Sequence, residues 1–222
     1  MRGKFITFEG GEGAGKSTQI RNLAAALQRR GLDVVVTREP GGSAGAEAVR
    51  HVILSGAARE LGASAEAILF SAARIDHIDQ LIEPNLAQGK WVLCDRFADS
   101  TRAYQGALGN LDPRLIQILE KVTLNGLKPD LTLMLDLDPK IGMARADARR
   151  GKAVAADRFE SEGAEFHKAL RNVFLDIAAA EPERCVVIDA SRSASIVSKA
   201  IAKAVARHFE LDDGPAQRKA AQ

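Results

Sequence analysis

The sequence predicts an α/β fold: a mainly parallel, five-stranded sheet flanked by helices. Three observations carry that reading. Five short apolar runs recur along the chain, each bounded by polar residues. Between them lie stripes of apolar residues at the i, i+3, i+4, i+7 spacing of an amphipathic helix. A glycine-rich turn joins the first run to the first stripe. Strands alternating with helices imply right-handed crossovers within one layer.

The elements follow in order. Residues 4–9 alternate Phe5, Ile6 and Phe8 with polar neighbours, as a first strand. Ile20, Leu23, Ala24 and Leu27 make the first helical stripe, which Gly31 stops. Val34, Val35 and Val36 are a β-branched second strand. Ile68, Leu69, Ala72, Ile75, Ile78 and Ile82 form a long second stripe reaching toward Pro84 and Gly89. Residues 91–94 form a third strand ending at Asp95. Asp112-Pro113 opens another helix with a capping residue and a first-turn proline, and Asp138-Pro139 does the same. Between those two, residues 131–135 form a fourth strand ending at Asp136. Residues 186–188 end at Asp189, and a last stripe runs Ile196, Val197, Ala200, Ile201, Ala204, Val205. All five runs read as strands buried on both faces. The stretch 145–162, with Arg145, Arg149, Arg150, Lys152 and Arg158, has no apolar periodicity after Gly151 and reads as an exposed loop on the sheet's rim. Residues 212–222 read as a frayed tail.

Composition narrows the class. At 222 residues the chain suits one ordinary domain, and 46% hydrophobic content suits a packed core. A net charge of +2 does not suggest a nucleic-acid scaffold. No apolar run approaches the roughly 20 residues of a membrane span, and Glu9 interrupts the only N-terminal apolar stretch, so neither an anchor nor a signal peptide is expected. Two cysteines, Cys94 and Cys185, sit in strand-like runs; buried inert thiols in a reducing cytoplasm are expected rather than a disulfide framework.

The chemistry begins at Gly10-Gly11-Glu12-Gly13-Ala14-Gly15-Lys16-Ser17, followed by Thr18, which matches G-x-x-x-x-G-K-[ST] between a strand and a helix. Glycines let backbone amides turn toward phosphate oxygens, and the helix N-terminus faces the same anion. Lys16 would reach the β/γ-phosphates and Ser17 would ligate Mg²⁺. The switch-GTPase signatures Asp-x-x-Gly and Asn-Lys-x-Asp do not occur, Asn125-Gly126-Leu127-Lys128 being the nearest approach. Asp95, Asp136 and Asp189 end strands where open α/β sheets bind ligands, so each is either a metal-orienting carboxylate or a cap. Asp95 stands out because Arg96 follows it.

Several further segments extend the pattern: Thr37-Arg38-Glu39-Pro40-Gly41-Gly42, Leu69-Phe70-Ser71-Ala72-Ala73-Arg74, Asp95-Arg96-Phe97, Ser100-Thr101-Arg102-Ala103-Tyr104-Gln105-Gly106 and Lys128-Pro129-Asp130-Leu131-Thr132. With the glycine-rich loop they resemble the thymidylate kinases of bacteria over nearly the whole chain. The resemblance implies a P-loop kinase fold, here one domain over residues 1–211 with a short lid at about 147–162. It implies transfer of phosphate from ATP to dTMP in dTTP biosynthesis, with Mg²⁺, in a cytoplasmic homodimer. Another P-loop phosphotransferase acting on a different nucleoside monophosphate is the alternative. Residue by residue, Phe70 would stack on the pyrimidine, Arg74 would donate to thymine O4, and Thr101 and Gln105 would lie beside the base. Tyr104 would crowd the 2′ position of the sugar. Arg38 and Arg96 would clamp the acceptor phosphate, Arg38 having Glu39 or a surface acid as another possible partner. Glu12 would sit near the acceptor's sugar and phosphate. Some relatives carry arginine at the position of Gly13; those without it keep basic residues in the lid, which points here to Arg149 and Arg150. Phe97 stands where many relatives carry Tyr or His, and would remove a polar group from the acceptor site.

Overall fold

Five parallel strands form one sheet in the computed structural model, which describes residues 1–150, 159 and 162–211. They are β1 (Phe5–Glu9), β2 (Val34–Arg38), β3 (Trp91–Asp95), β4 (Leu131–Asp136) and β5 (Cys185–Asp189), in the order β2-β3-β1-β4-β5. β1 is central, and the direction of strand addition reverses beside it. Such a switch point opens a crevice at the carboxyl ends of the strands. The register brings Phe8 and Arg38 level with Asp95, so the ends of β1, β2 and β3 face one crevice.

Helices α1 (Lys16–Gln28) and α9 (Ala194–His208) cover one face, where Ile20, Leu23 and Leu27 meet Ile6, Phe8, Leu93 and Leu133, and Val197, Ile201 and Val205 join them. The pleat sends Phe5, Val92 and Cys94 to the other face. There they pack on a π-helical turn (Ile78–Ile82) and α4 (Glu83–Ala87) through Ile78, Ile82 and Leu86. Three further helices are α2 (Ala44–Leu54), α3 (Gly62–His77) and α6 (Pro113–Leu124). A short α5 (Ala98–Thr101) runs directly into a π-helical segment (Arg102–Leu108). Both proline-opened helices form as the sequence predicts: Asp112 caps α6 by accepting from Arg114 N at 2.8 Å, and Asp138 accepts from Lys140 N at 2.8 Å at the start of α7 (Pro139–Arg150).

Two expectations are corrected, and two elements are placed that the sequence left open. Only β1, β3 and β4 are buried on both faces; β2 and β5 are edge strands, leaving Val36 48% and Val187 47% exposed. The stripe over residues 68–82 does not face the core throughout. Ile68 is 53% exposed, while Arg74 and His77 on the same helix are buried, because that side of α3 lines the crevice. Residues 145–150 are the end of α7 rather than loop, and Arg145 donates to Ala190 O at 3.2 Å. Helix α8 (Ala164–Ala180), burying Leu170, Phe174 and Ile177, goes beyond the sequence reading. The tail 212–222 and most of the stretch 151–162 lie outside the described residues.

Candidate active site

The glycine-rich loop turns immediately after β1. Gly10, Gly13 and Gly15 have φ of 130°, 66° and 90°, the left-handed side that glycine adopts at little cost. At Gly13 there is a second constraint: a Cβ would overlap the carbonyl oxygen of Gly142 in α7. Lys16 opens α1, and its Nζ crosses the loop to donate to Gly10 O at 3.1 Å and Gly11 O at 2.9 Å. Burial lowers the Lys16 pKa, with Arg96 adding to the shift and Glu12, Asp95 and Glu9 opposing it. Ser17 Oγ donates to Asp95 Oδ2 at 2.8 Å. Residues 12–18 line the adjoining cavity, whereas Gly10 and Gly11 do not and contribute carbonyls to Lys16 instead.

That cavity has a volume of about 450 Å³, in the range of small-ligand sites. It runs from the loop to Arg38, Phe70, Arg74, Arg96, Thr101, Tyr104 and Gln105. The structure therefore brings the acceptor-side residues proposed from sequence to one crevice. Arg96 has φ of 70°, rare for a side-chain-bearing residue, and is held there by Arg96 N donating to Phe8 O at 2.9 Å. Its guanidinium donates to Gly10 O at 3.2 Å and Ser100 Oγ at 3.3 Å, pairs with Glu12, and lies 5.3 Å from the Tyr104 ring centre. Burial opposes the charge on Arg96, but Tyr104, Glu12, Glu9 and Asp95 outweigh it and raise its pKa above the usual arginine value. Phe70 and Tyr104 flank Phe159, at ring distances of 6.3 and 5.1 Å.

Several assignments change in detail. Arg38 pairs with a surface acid, Glu47, at 2.8 Å in an exposed bridge, one of the two alternatives read from sequence, and not with Glu39. Phe97 is core: its ring packs edge-on against Phe5 at 4.9 Å and lies 5.2 Å below the Arg74 guanidinium. It supports Arg74 and also lines the cavity, with 1% of its surface exposed. Of the strand-end aspartates, Asp136 is held by Arg171 at 2.6 and 2.9 Å, and Asp189 caps the turn at Ser191, accepting from its amide at 2.9 Å. Asp95 alone of the three reaches the loop serine. Helix α7 carries Arg149 and Arg150 in its last turn, but their side chains lie outside the described residues.

Other groups at the site are silent in the sequence. Glu9, ending β1, is fully buried and accepts from Phe97 N at 2.8 Å and Ser100 Oγ at 2.7 Å, so it ties the Arg96 turn to the strand that feeds the loop. Burial, with Asp99 adding, pushes its carboxyl up to about 7. Arg184 grips both Asp99 oxygens at 2.7 and 2.8 Å and donates to Thr132 Oγ1 at 2.7 Å, bracing the segment that carries Thr101, Tyr104 and Gln105. Only spatial proximity joins residues 99 and 184, so spacing gives no sign of the pair.

Together these features define a P-loop phosphotransferase: a phosphate-cradling loop with its lysine at one end of a cavity and a nucleoside-sized pocket with arginines at the other. The family model described as "Thymidylate kinase" matches residues 8–201. The chain is 59% identical over 204 residues to a thymidylate kinase of Bradyrhizobium sp. (strain ORS 278), covering 92% of this chain and 90% of that one. A thymidylate kinase of Rhodopseudomonas palustris (strain ATCC BAA-98 / CGA009) is 59% identical over 206 residues, covering 92% and 89%. The crystal structure of thymidylate kinase from Ehrlichia chaffeensis superposes with a TM-score of 0.74 at 34% identity, covering 92% of this chain and all of that one. The chain belongs to the thymidylate kinase family.

Proposed function

We infer that the protein transfers the γ-phosphoryl group of ATP to dTMP, giving dTDP for dTTP biosynthesis. The observation that carries this is the continuity of one cavity from Lys16 and Ser17 to Phe70, Arg74 and Gln105. Two phosphate-bearing ligands entering from its two ends would meet at the loop. The acceptor's phosphate oxygen is anionic near neutral pH, so no general base is needed; the protein's work is alignment and charge neutralisation. Lys16 neutralises the phosphates of the donor. Arg96, held by Glu12 and the Tyr104 face, is aimed at the acceptor phosphate, with Arg38 at the cavity's edge. Arg149 and Arg150 supply the charge that an arginine at position 13 would otherwise bring.

The oxygens of Ser17 and Asp95 fit Mg²⁺, which takes few protein ligands and completes its shell with phosphates and water. When bound, the ion spreads the charge of the moving phosphoryl group. We assign residues 1–211 to one kinase domain with a lid at about 147–162, in the cytoplasm, where two buried free thiols are at home. A homodimer through α3 and α6 is part of the same reading, supported by Ile68, Ile118 and Val122, which are 53, 60 and 67% exposed on these neighbouring helices.

A coupled assay across nucleoside monophosphates tests the function. dTMP should be the preferred acceptor; failure to phosphorylate it, or a clear preference for another monophosphate, overturns the assignment. Light scattering at twice the mass of one chain supports the dimer, and a monomer overturns it.

A further inference from the structure

Beneath one end of the cavity lies a closed set of three buried ionisable side chains that phosphoryl transfer does not itself use. Glu39 follows β2 directly, and its amide donates to Asp95 O at 2.9 Å, so sheet pairing fixes its backbone. Its Oε2 accepts from Arg74 Nε at 2.7 Å and its Oε1 from His77 Nδ1 at 3.1 Å. A carboxylate only accepts, so Nδ1 carries a proton, and Nε2 meets Thr37 Oγ1 on β2 at 2.7 Å. The side chains of Glu39, Arg74 and His77 are 5, 3 and 0% exposed. Arg74 also donates through Nη2 to Phe97 O at 3.2 Å and Thr101 Oγ1 at 3.1 Å.

Two consequences follow for a ligand in the cavity, which both Glu39 and Arg74 line. A guanidinium reads an acceptor atom only when its plane is fixed, and here β2, the Phe97 turn and α5 fix it from different sides. Glu39 would by itself welcome a hydrogen-bond donor, but each of its oxygens already accepts one bond and its side chain is only 5% exposed. A buried ion pair is a poor stabiliser compared with apolar packing, so orientation and masking are better reasons for its presence than stability.

We propose that Glu39 is a specificity-setting positioning residue: clamped by His77, it orients Arg74 to receive a ring carbonyl and, engaged by both and nearly buried, is a poor acceptor for an exocyclic amine. This rests on the acceptor site assigned above. Thymine offers the carbonyl at that ring position and cytosine the amine, so the pair dTMP and dCMP reads the effect.

Steady-state kinetics on the full chain test it, with kcat and KM measured for both monophosphates and for ATP. Glu39→Gln should lower kcat/KM for dTMP on the order of tenfold to a hundredfold, mainly through KM, and lower the dTMP-to-dCMP ratio comparably, leaving KM for ATP unchanged. A lowered melting temperature with an unchanged ratio overturns the proposal. His77→Gln, which keeps an N–H donor, should hold the ratio near wild type, whereas His77→Leu should lower it; equal ratios in the two overturn the clamp and decide the matter should Glu39→Gln not fold. Wild-type protein that does not phosphorylate dTMP defeats the underlying site assignment instead, a result distinct from selective wild type with insensitive variants.

Discussion

Lys16 donates to two loop carbonyls while sitting at the N-terminus of α1, and burial already weakens its hold on its proton. Phosphate oxygens are stronger acceptors than those carbonyls, because a charged partner roughly doubles the strength of a hydrogen bond. Lys16→Ala should therefore lower kcat by at least about a hundredfold, the scale of losing one preorganised transition-state contact. Near-normal turnover in the kinase assay would show that the charge comes from elsewhere. At this scale the motifs were informative about identity and less so about partners. Arg74, Arg96, Thr101, Tyr104 and Gln105 all reach the cavity as read from sequence. The buried contacts of Glu9, Glu39 and His77 gave no signal, because a buried ionisable residue looks the same in a sequence as a solvated one.

At the scale of elements, local chemistry was legible wherever one residue type does one job. Asp112 accepts from Arg114 N ahead of a first-turn proline, and the helix starts there. Asp112→Ala should cost about 1 kcal/mol, read as a lower midpoint in chemical denaturation with kcat unchanged. The strands were equally plain as apolar runs, but a run cannot say whether it lies at an edge, so the exposure of Val36 and Val187 was hidden. Helix α3 could not be oriented from its pattern for a physical reason: its apolar stripe is not its buried side, since the crevice takes the polar one. Helix α7 continues into the charge-dense stretch as far as Arg150. If those terminal arginines act on the phosphoryl group in flight, Arg149→Ala combined with Arg150→Ala should lower kcat more than it raises KM for dTMP. A change in KM alone would make them binding residues.

At the scale of the whole molecule, two carboxyls pull stability in opposite directions with pH. Glu9 goes from an ordinary 4.5 to about 7 on folding, so between those values the folded chain holds a proton that the unfolded chain has lost. Its contribution to stability therefore falls as pH rises through that window. Glu181 goes from 4.5 to about 2, chiefly through hydrogen bonds from Arg184 and Arg102 working against its partial burial. Its contribution is complete above 4.5 and is lost as pH falls toward 2. Denaturation midpoints across pH should show the decline above 4.5 flattened in Glu9→Gln and the acid-side loss unchanged. A decline equally steep in that variant would place the titration on another group.

The close approach of Gly13 to Gly142 has a consequence for how such enzymes diversify. The loop and α7 meet backbone to backbone, with the helix oxygen standing where the first carbon of any larger side chain would go. Replacing that glycine by an arginine is then not a one-step change. It requires the helix to withdraw first, so loop and helix must change together.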